Sequence, residues 1–354
     1  MPRDIQCIAY QIQTAAEGNT NRVNYPGLND QKRDIDARCK VLIDAIEAAA
    51  KDHRISPMAT KLFVAPEFFF RGARGGVYSA EALSYLSEVL DRHLRKAEYF
   101  RWIFVLGTAL AVMPEVEPPA GAALTDDSEI LNVALARIGG RSTVGENTTP
   151  GDSILVYKEY VSAVDFFGPD YGDSPNFHHG ANPGQVNIGG ALTDISATAG
   201  ARPSGGIDGV GAANVPAVAM GGETSASGLG GATNFTLDGL QFICEICLDH
   251  VMRRAQATIP QGNVDIHLVT SCGMTTAYKH ARNQGLFFLV DGSDHQPSRV
   301  TLRQKIAGAW QPQPAPIAAK RMSDQRHWRH HHGVGTNLFQ NGKGTVYVYP
   351  RITI

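Results

Sequence analysis

The stretch Gly239–His250, read as Gly-Leu-Gln-Phe-Ile-Cys-Glu-Ile-Cys-Leu-Asp-His, constrains this chain more than any other. Leu240 to Ile246 is mostly apolar and β-prone, which fits a buried strand. Asp249-His250 closes it before a helix-compatible run that starts at Val251. A strand feeding a turn and then a helix is where α/β folds present reactive side chains, because ligands collect at the carboxyl ends of strands. Cys247 stands at that end. The two-residue period of a strand places Cys247 on one face with Glu245 and Ile243 and turns Cys244 to the other. Cys244 is therefore expected to pack in the core and Cys247 to react.

The rest of the chain alternates strand-like and helix-like segments, which implies a layered α/β fold in one domain spanning residues 1–354. Strands are expected at Ile5–Gln13, Leu62–Ala65, Trp102–Leu106, Ile130–Ile138 and Ser153–Tyr157, and after the Cys247 stretch at Val264–Ser271, Gly285–Asp291 and Gly344–Tyr349. Pro350 should break the last of these, because proline cannot donate to a ladder. An amphipathic helix is expected from Asp30, with Ile35, Cys39, Leu42, Ile46 and Ala50 on its buried stripe. Ser79 can cap a second, carrying Leu83, Leu86, Leu90 and Leu94. From Gly180 to Phe235, 14 of 56 residues are glycine, four are charged and one is aromatic. With no sustained period, this stretch reads as a loop-rich insertion outside the core, placed to cover a pocket or an oligomer neighbour.

Composition excludes several classes. A net charge of −2 with 19% charged residues gives no basic surface for nucleic acid. No run reaches the length of a membrane span, and the first residues show no apolar signal region. Five cysteines, an odd number, point to free thiols in a reducing, cytoplasmic setting.

Three ionisable side chains share one context. Glu67 follows Leu-Phe-Val-Ala-Pro, Lys158 follows Ile-Leu-Val-Tyr, and Cys247 follows Phe-Ile-Cys-Glu-Ile. Each sits at or just past the end of an apolar strand, where neighbouring strands can bring them together. A carboxylate, an amine and a thiol make a workable acyl-transfer set: the carboxylate takes the thiol proton, and the ammonium stabilises thiolate and oxyanion. The segments Val-Ala-Pro-Glu-Phe-Phe, Val-Tyr-Lys-Glu-Tyr and Glu-Ile-Cys-Leu-Asp-His, in this order, resemble the three catalytic blocks of the nitrilase (carbon–nitrogen hydrolase) superfamily. Val264–Ser271 is similar to the family's strand after the nucleophile, and the resemblance runs from Ile5 to about Asp291 with the insertion excepted.

The resemblance implies a four-layer α-β-β-α sandwich, an oligomer, a small-molecule amide or nitrile substrate, and no metal or organic cofactor. It implies Glu67 as general base and acid, Lys158 as stabiliser of the tetrahedral intermediate, Cys247 as nucleophile and the Leu248 N–H as oxyanion donor. About 90 residues separate Lys158 from Cys247, more than is usual in the family. A second glutamate after the lysine, present in many members, has no clear counterpart among Glu159, Asp165, Asp170 and Asp173. Leu248 stands where an aromatic is common, which leaves amide, nitrile and acyl-transfer chemistry open. A silent scaffold is the rival from another class. Cys244-Glu-Ile-Cys247 as a redox pair or half a zinc site, and a metal held by His327–His332, carry less weight than a core cysteine and a solvated histidine-rich turn.

Overall fold

A computed structural model of the chain describes residues 2–15, 26–28, 30–72, 78–114, 128–144, 152–158, 178–179, 185–188, 191–194, 233–251, 253–255, 259–294, 296–322, 338–339 and 342–354. Glu159, Asp165, Asp170, Asp173, His327–His332 and most of the glycine-rich stretch lie outside the described residues.

Strands β1 (Asp4–Gln11), β2 (Thr60–Ala65), β3 (Tyr78–Ser79), β4 (Trp102–Pro114), β5 (Ser128–Ile138) and β6 (Ser153–Tyr157) belong to a first sheet. Three further short strands, β7 (His178–His179), β8 (Gln185–Ile188) and β9 (Ala191–Asp194), form a separate antiparallel sheet. The second large sheet comprises β10 (Asn234–Leu237), β11 (Leu240–Ile246), β12 (Ile266–Ser271), β13 (Leu286–Asp291), β14 (Val300–Ile306) and β15 (Ala309–Pro312), in that spatial order. The chain then returns through β16 (Ala318–Arg321) and β17 (Thr345–Thr353) to the first sheet, whose order is β16-β17-β1-β2-β4-β5-β6 with β3 beside β4.

Each large sheet has a parallel centre, β1-β2-β4 in one and β11-β12-β13 in the other, flanked by antiparallel strands. The even-numbered residues Phe242, Cys244 and Ile246 of β11 pack with Ile266, Leu268, Leu286 and Phe288 against Cys7, Leu62, Val64, Val105 and Ala134 of the facing sheet. This inter-sheet layer is the central core. The first sheet's other face buries Ile8, Tyr10, Phe63 and Phe104 under helices α1 (Gln31–Ala50) and α2 (Ala80–Leu94). Asp30 caps α1 by accepting from the Arg33 N–H, and Ser79 caps α2 by accepting from the Ala82 N–H. Cys39 lies on the α1 core stripe as its spacing predicts.

The outer face of the second sheet buries Ile243, Val269, Phe287 and Leu289 against Ala255, Ile259, Val264, Ala281 and Trp310. Helix α3 (Leu248–Val251) and irregular chain supply this side, so the fourth layer is thinner than the first among the described residues. The layered α/β sandwich expected from the sequence is present. No helix among the described residues is long and apolar enough to cross a membrane.

Several boundaries differ from the sequence reading. The helix after Cys247 spans Leu248–Val251 and so ends where it was expected to begin, and β1, β5 and β12 are shifted by two residues at one end. β4 continues past Gly107 to Pro114, with a register shift against β5 between Val105 and Thr108. β17 runs through Pro350, which sits in the register irregularity between the Gln6–Arg351 and Ile8–Val348 pairs, a place where a strand tolerates a missing donor. The end of the glycine-rich stretch, Asn234-Phe235, opens β10 and so belongs to the second sheet.

Candidate active site

The carboxyl ends of the two parallel centres meet. Thr270 Oγ1, near the end of β12, donates to the Ala65 carbonyl at the end of β2 at 3.0 Å. Gln11 Nε2, ending β1, donates to the Asp291 carbonyl at the end of β13 at 2.6 Å. β6 runs antiparallel to β5, which is antiparallel to β4, so its carboxyl end falls on the same side. The three residues singled out by sequence all follow strands that finish at this edge.

Glu67 is buried on a tight turn behind β2. Its neighbour Phe68 takes a left-handed backbone (φ 59°), unusual for an aromatic, and the Phe68 N–H donates to Thr108 Oγ1 at 2.8 Å. Gly107 makes room for the turn. It has φ +76°, and a Cβ placed there would lie 2.5 Å from the Pro66 oxygen and 2.7 Å from the Phe69 Cβ.

Lys158 Nζ donates to Glu67 Oε1 at 2.9 Å, and neither side chain is exposed. Asn132 of β5 ties the two together: its Nδ2 donates to the same Glu67 oxygen at 2.9 Å, while the Lys158 N–H donates to its carbonyl at 2.8 Å. The Lys158 ammonium also lies 5.7 Å from the centroid of the Phe68 ring. A buried ion pair needs this degree of fixing, since both charges have left water.

Cys247 sits between β11 and α3 with a left-handed backbone (φ 47°). That conformation overturns the strand-period expectation for its side chain. Glu245 and Ile243 face the outer layer, whereas Cys247 packs with the inter-sheet cluster, as Cys244 does. The alternation stops where the backbone leaves the β region. Hydrogen bonds link Cys247 to both other segments. Its N–H donates to the Thr270 carbonyl at 3.0 Å, and Thr270 reaches Ala65, two residues before Glu67. Arg254 Nη1, beyond α3, donates to the carbonyl of Tyr157, the residue before Lys158, at 2.6 Å and to Asp249 Oδ2 at 3.2 Å. Leu248 is the first residue of α3, a position whose N–H the helix itself leaves unused.

All five cysteines are free and buried, Cys247 at 1% exposure among them. Burial pushes Cys244 up to about 12, and it likewise raises Cys7, Cys39 and Cys272. Cys244 lies mid-strand in the core, where its N–H donates to Thr233, so neither a redox motif at a helix start nor a zinc half-site matches its place.

One buried group has the residue types of a metal centre. Glu245, His250 and His267 place ligand atoms within 4.8 Å of one another. The donor set does not fit a cation. The Ala277 N–H donates to His250 Nε2 at 3.0 Å and the His280 N–H donates to His267 Nδ1 at 3.0 Å. Each ring nitrogen facing Glu245 must then carry the proton, at 2.8 Å from His250 Nδ1 and 2.9 Å from His267 Nε2 to the same Oε2. A metal ligand needs a bare lone pair there.

Asn132, Arg254 and Thr270 escaped the sequence reading. Asn132 carries the only available signal, an amide within the apolar run Ile-Leu-Asn-Val-Ala-Leu. The roles of Arg254 and Thr270 depend on partners 97 and 205 positions away.

No protein-family model and no curated protein matches the sequence. Solved structures align with the chain at low identity, members of the nitrilase superfamily among them. Nit3 of Saccharomyces cerevisiae, a member of branch 10 of the nitrilase superfamily, is 12% identical over 85% of this chain and 83% of its own, with a TM-score of 0.36. An amidase from Nesterenkonia sp. is 11% identical over 86% and 84%, with a TM-score of 0.37. A carbon–nitrogen hydrolase from Helicobacter pylori is 9% identical over 87% and 84%, also with a TM-score of 0.37. No residue role passes to this chain from likenesses of this size.

Proposed function

We propose that this protein hydrolyses a non-peptide carbon–nitrogen bond, that of a small amide, through a cysteine thioester. The observation that carries this reading is the buried Lys158–Glu67 pair at 2.9 Å, held by Asn132 at the strand edge where Cys247 also ends its strand. An ion pair stripped of water is costly to keep for stability alone, and charged groups of this kind concentrate at reactive sites.

In the proposed reaction Glu67 takes the Cys247 proton and the thiolate attacks the amide carbon. Lys158 and the Leu248 N–H hold the oxyanion of the tetrahedral intermediate. Its collapse breaks the C–N bond as Glu67 returns the proton to the departing ammonia or amine. Water, deprotonated by the same carboxylate, then attacks the thioester and releases the acid. An amide suits a single carboxylate that both takes and returns a proton, because its nitrogen leaves only when protonated. The test is ammonia release from a panel of amides and nitriles by the wild type and by Cys247→Ala. Release from an amide that disappears in the variant supports the reading. Release that survives the substitution overturns it.

A further inference from the structure

The turn that carries Cys247 is closed by a hydrogen-bonded unit for which the proposed reaction has no use. Glu245, two residues before Cys247, and His250, three after it, meet across the turn at 2.8 Å. Residues 245–250 thus form a closed loop with the left-handed Cys247 backbone inside it. Glu245 Oε2 also accepts from His267 Nε2 on β12 at 2.9 Å. Its Oε1 accepts from the Tyr278 hydroxyl at 2.5 Å and from the Ala255 N–H at 2.9 Å. Four donors from α3, the chain after it, β12 and the 273–283 segment saturate one buried carboxylate. The far nitrogens of both imidazoles accept backbone N–H groups of that same segment, from Ala277 and His280. The His250 ring stacks on Tyr278 at 4.9 Å between centroids.

We propose that Glu245, His250 and His267 are positioning residues for Cys247, a buried clasp that fixes its turn, fastens the 273–283 segment beside it and opens when the His267 imidazole takes a second proton. The inference rests on the reading of Cys247 as the nucleophile.

The acid sensitivity follows from the geometry. Every imidazole nitrogen is engaged, and a second proton on either ring would point an N–H at a backbone N–H. Proton uptake must therefore break the Ala277 or the His280 bond. The ionisable groups around the clasp are Glu245 on β11, His250 and the Asp249–Arg254 pair on and after α3, His267 on β12, and Tyr278 and His280 on the loop. Arg253 lies 6.0 Å from the Tyr278 ring and Lys279 lies 5.9 Å from the Phe287 ring, and both cations oppose further positive charge. Burial holds His267 below its free value of 6.5, against the pull of Glu245. The folded chain then binds fewer protons than the unfolded one as pH falls below 6.5, so the clasp is firm above that pH and weakens beneath it.

Two readouts test this on the full-length protein. Among the signals of the twelve histidines, nitrogen-15 spectra at pH 7.5 should include one ring protonated at Nε2 that is lost in His267→Gln and one protonated at Nδ1 that is lost in His250→Gln. Iodoacetamide at pH 7.5 should alkylate Cys247 at least about tenfold more slowly in Glu245→Gln than in the wild type, because the amide sets an N–H₂ against groups that are all donors. Should that variant fail to fold, Tyr278→Phe provides the second reading. Loss of one donor makes the carboxylate a better partner for imidazolium, and the His267 titration should move up by about half a pH unit or more. Equal or faster Cys247 alkylation in folded Glu245→Gln, rings with the opposite tautomers, or an unmoved titration in Tyr278→Phe would overturn the clasp. A wild type in which Cys247 is not labelled first would instead remove the nucleophile reading, while the spectra still report on the clasp.

Discussion

At the scale of residues, the two cysteines of one strand separate by backbone rather than by face. Cys244 is a mid-strand core residue whose burial keeps it a thiol, and Cys247 sits on a left-handed turn at the strand end. Cys244→Ala should cost about 1–2 kcal/mol through a small cavity, read by urea unfolding, while turnover per folded molecule persists. Cys247→Ala should abolish turnover at near-normal stability. The Glu67–Lys158 pair makes a different prediction. Lys158→Met strands a buried carboxylate and should destabilise the fold by about 3–5 kcal/mol, whereas the double variant Glu67→Gln/Lys158→Met should regain much of that loss without regaining activity. A double variant as unstable as the sum of the singles would mean that the two charges do not act as a pair.

At the scale of elements, the site depends on strand ends that bend where strands seldom do. Gly107→Ala should cost about 2–4 kcal/mol and reduce turnover, because β4 can no longer pass beneath the Pro66–Phe69 turn that holds Glu67. Thermal unfolding paired with a rate assay checks both halves. Much of this scaffold was legible in the sequence, since local pattern decides it: the β6 and β11 strands fall at the expected residues, and Asp30 and Ser79 cap the expected helices. The strands β10, β14, β15 and β16 were not read from the sequence, because their exposed faces carry polar residues that blur the apolar pattern. β10 and β15 close two-residue hairpins at Asp238-Gly239 and Ala307-Gly308, and only the β16–β17 pairing joins distant residues. Glu67, Lys158 and Cys247 could be named because each ends an apolar run. Glu245 appeared as a strand residue sharing the Cys247 face. Its partners His267 and Tyr278 are 22 and 33 positions away, a separation that no local period encodes.

At the scale of the whole molecule, two sheets bring the ends of β2, β6 and β11 to one edge, and the inter-sheet core fixes their relation. Acid should act on this assembly through two buried groups. Below 6.5 the neutral His267 progressively loses its contribution to stability. Burial pushes Glu245 up, but the His250 and His267 hydrogen bonds outweigh it and hold the carboxyl well below its usual 4.5, so its contribution is present above 4.5 and is lost as the pH falls further. Denaturant unfolding should therefore give a stability that declines from pH 6.5 downward and steepens below 4.5, and a flat profile over that range would contradict both contributions. The central claim is that the strand-end edge makes Cys247 the reactive thiol of this chain. Peptide-resolved mass spectrometry of a timed iodoacetamide reaction at pH 7.5 tests it most directly. Cys247 should be labelled at least about tenfold ahead of Cys7, Cys39, Cys244 and Cys272, with the lead lost in Glu67→Gln. Labelling of Cys247 no faster than the buried core cysteines, or a lead unchanged in Glu67→Gln, would contradict it.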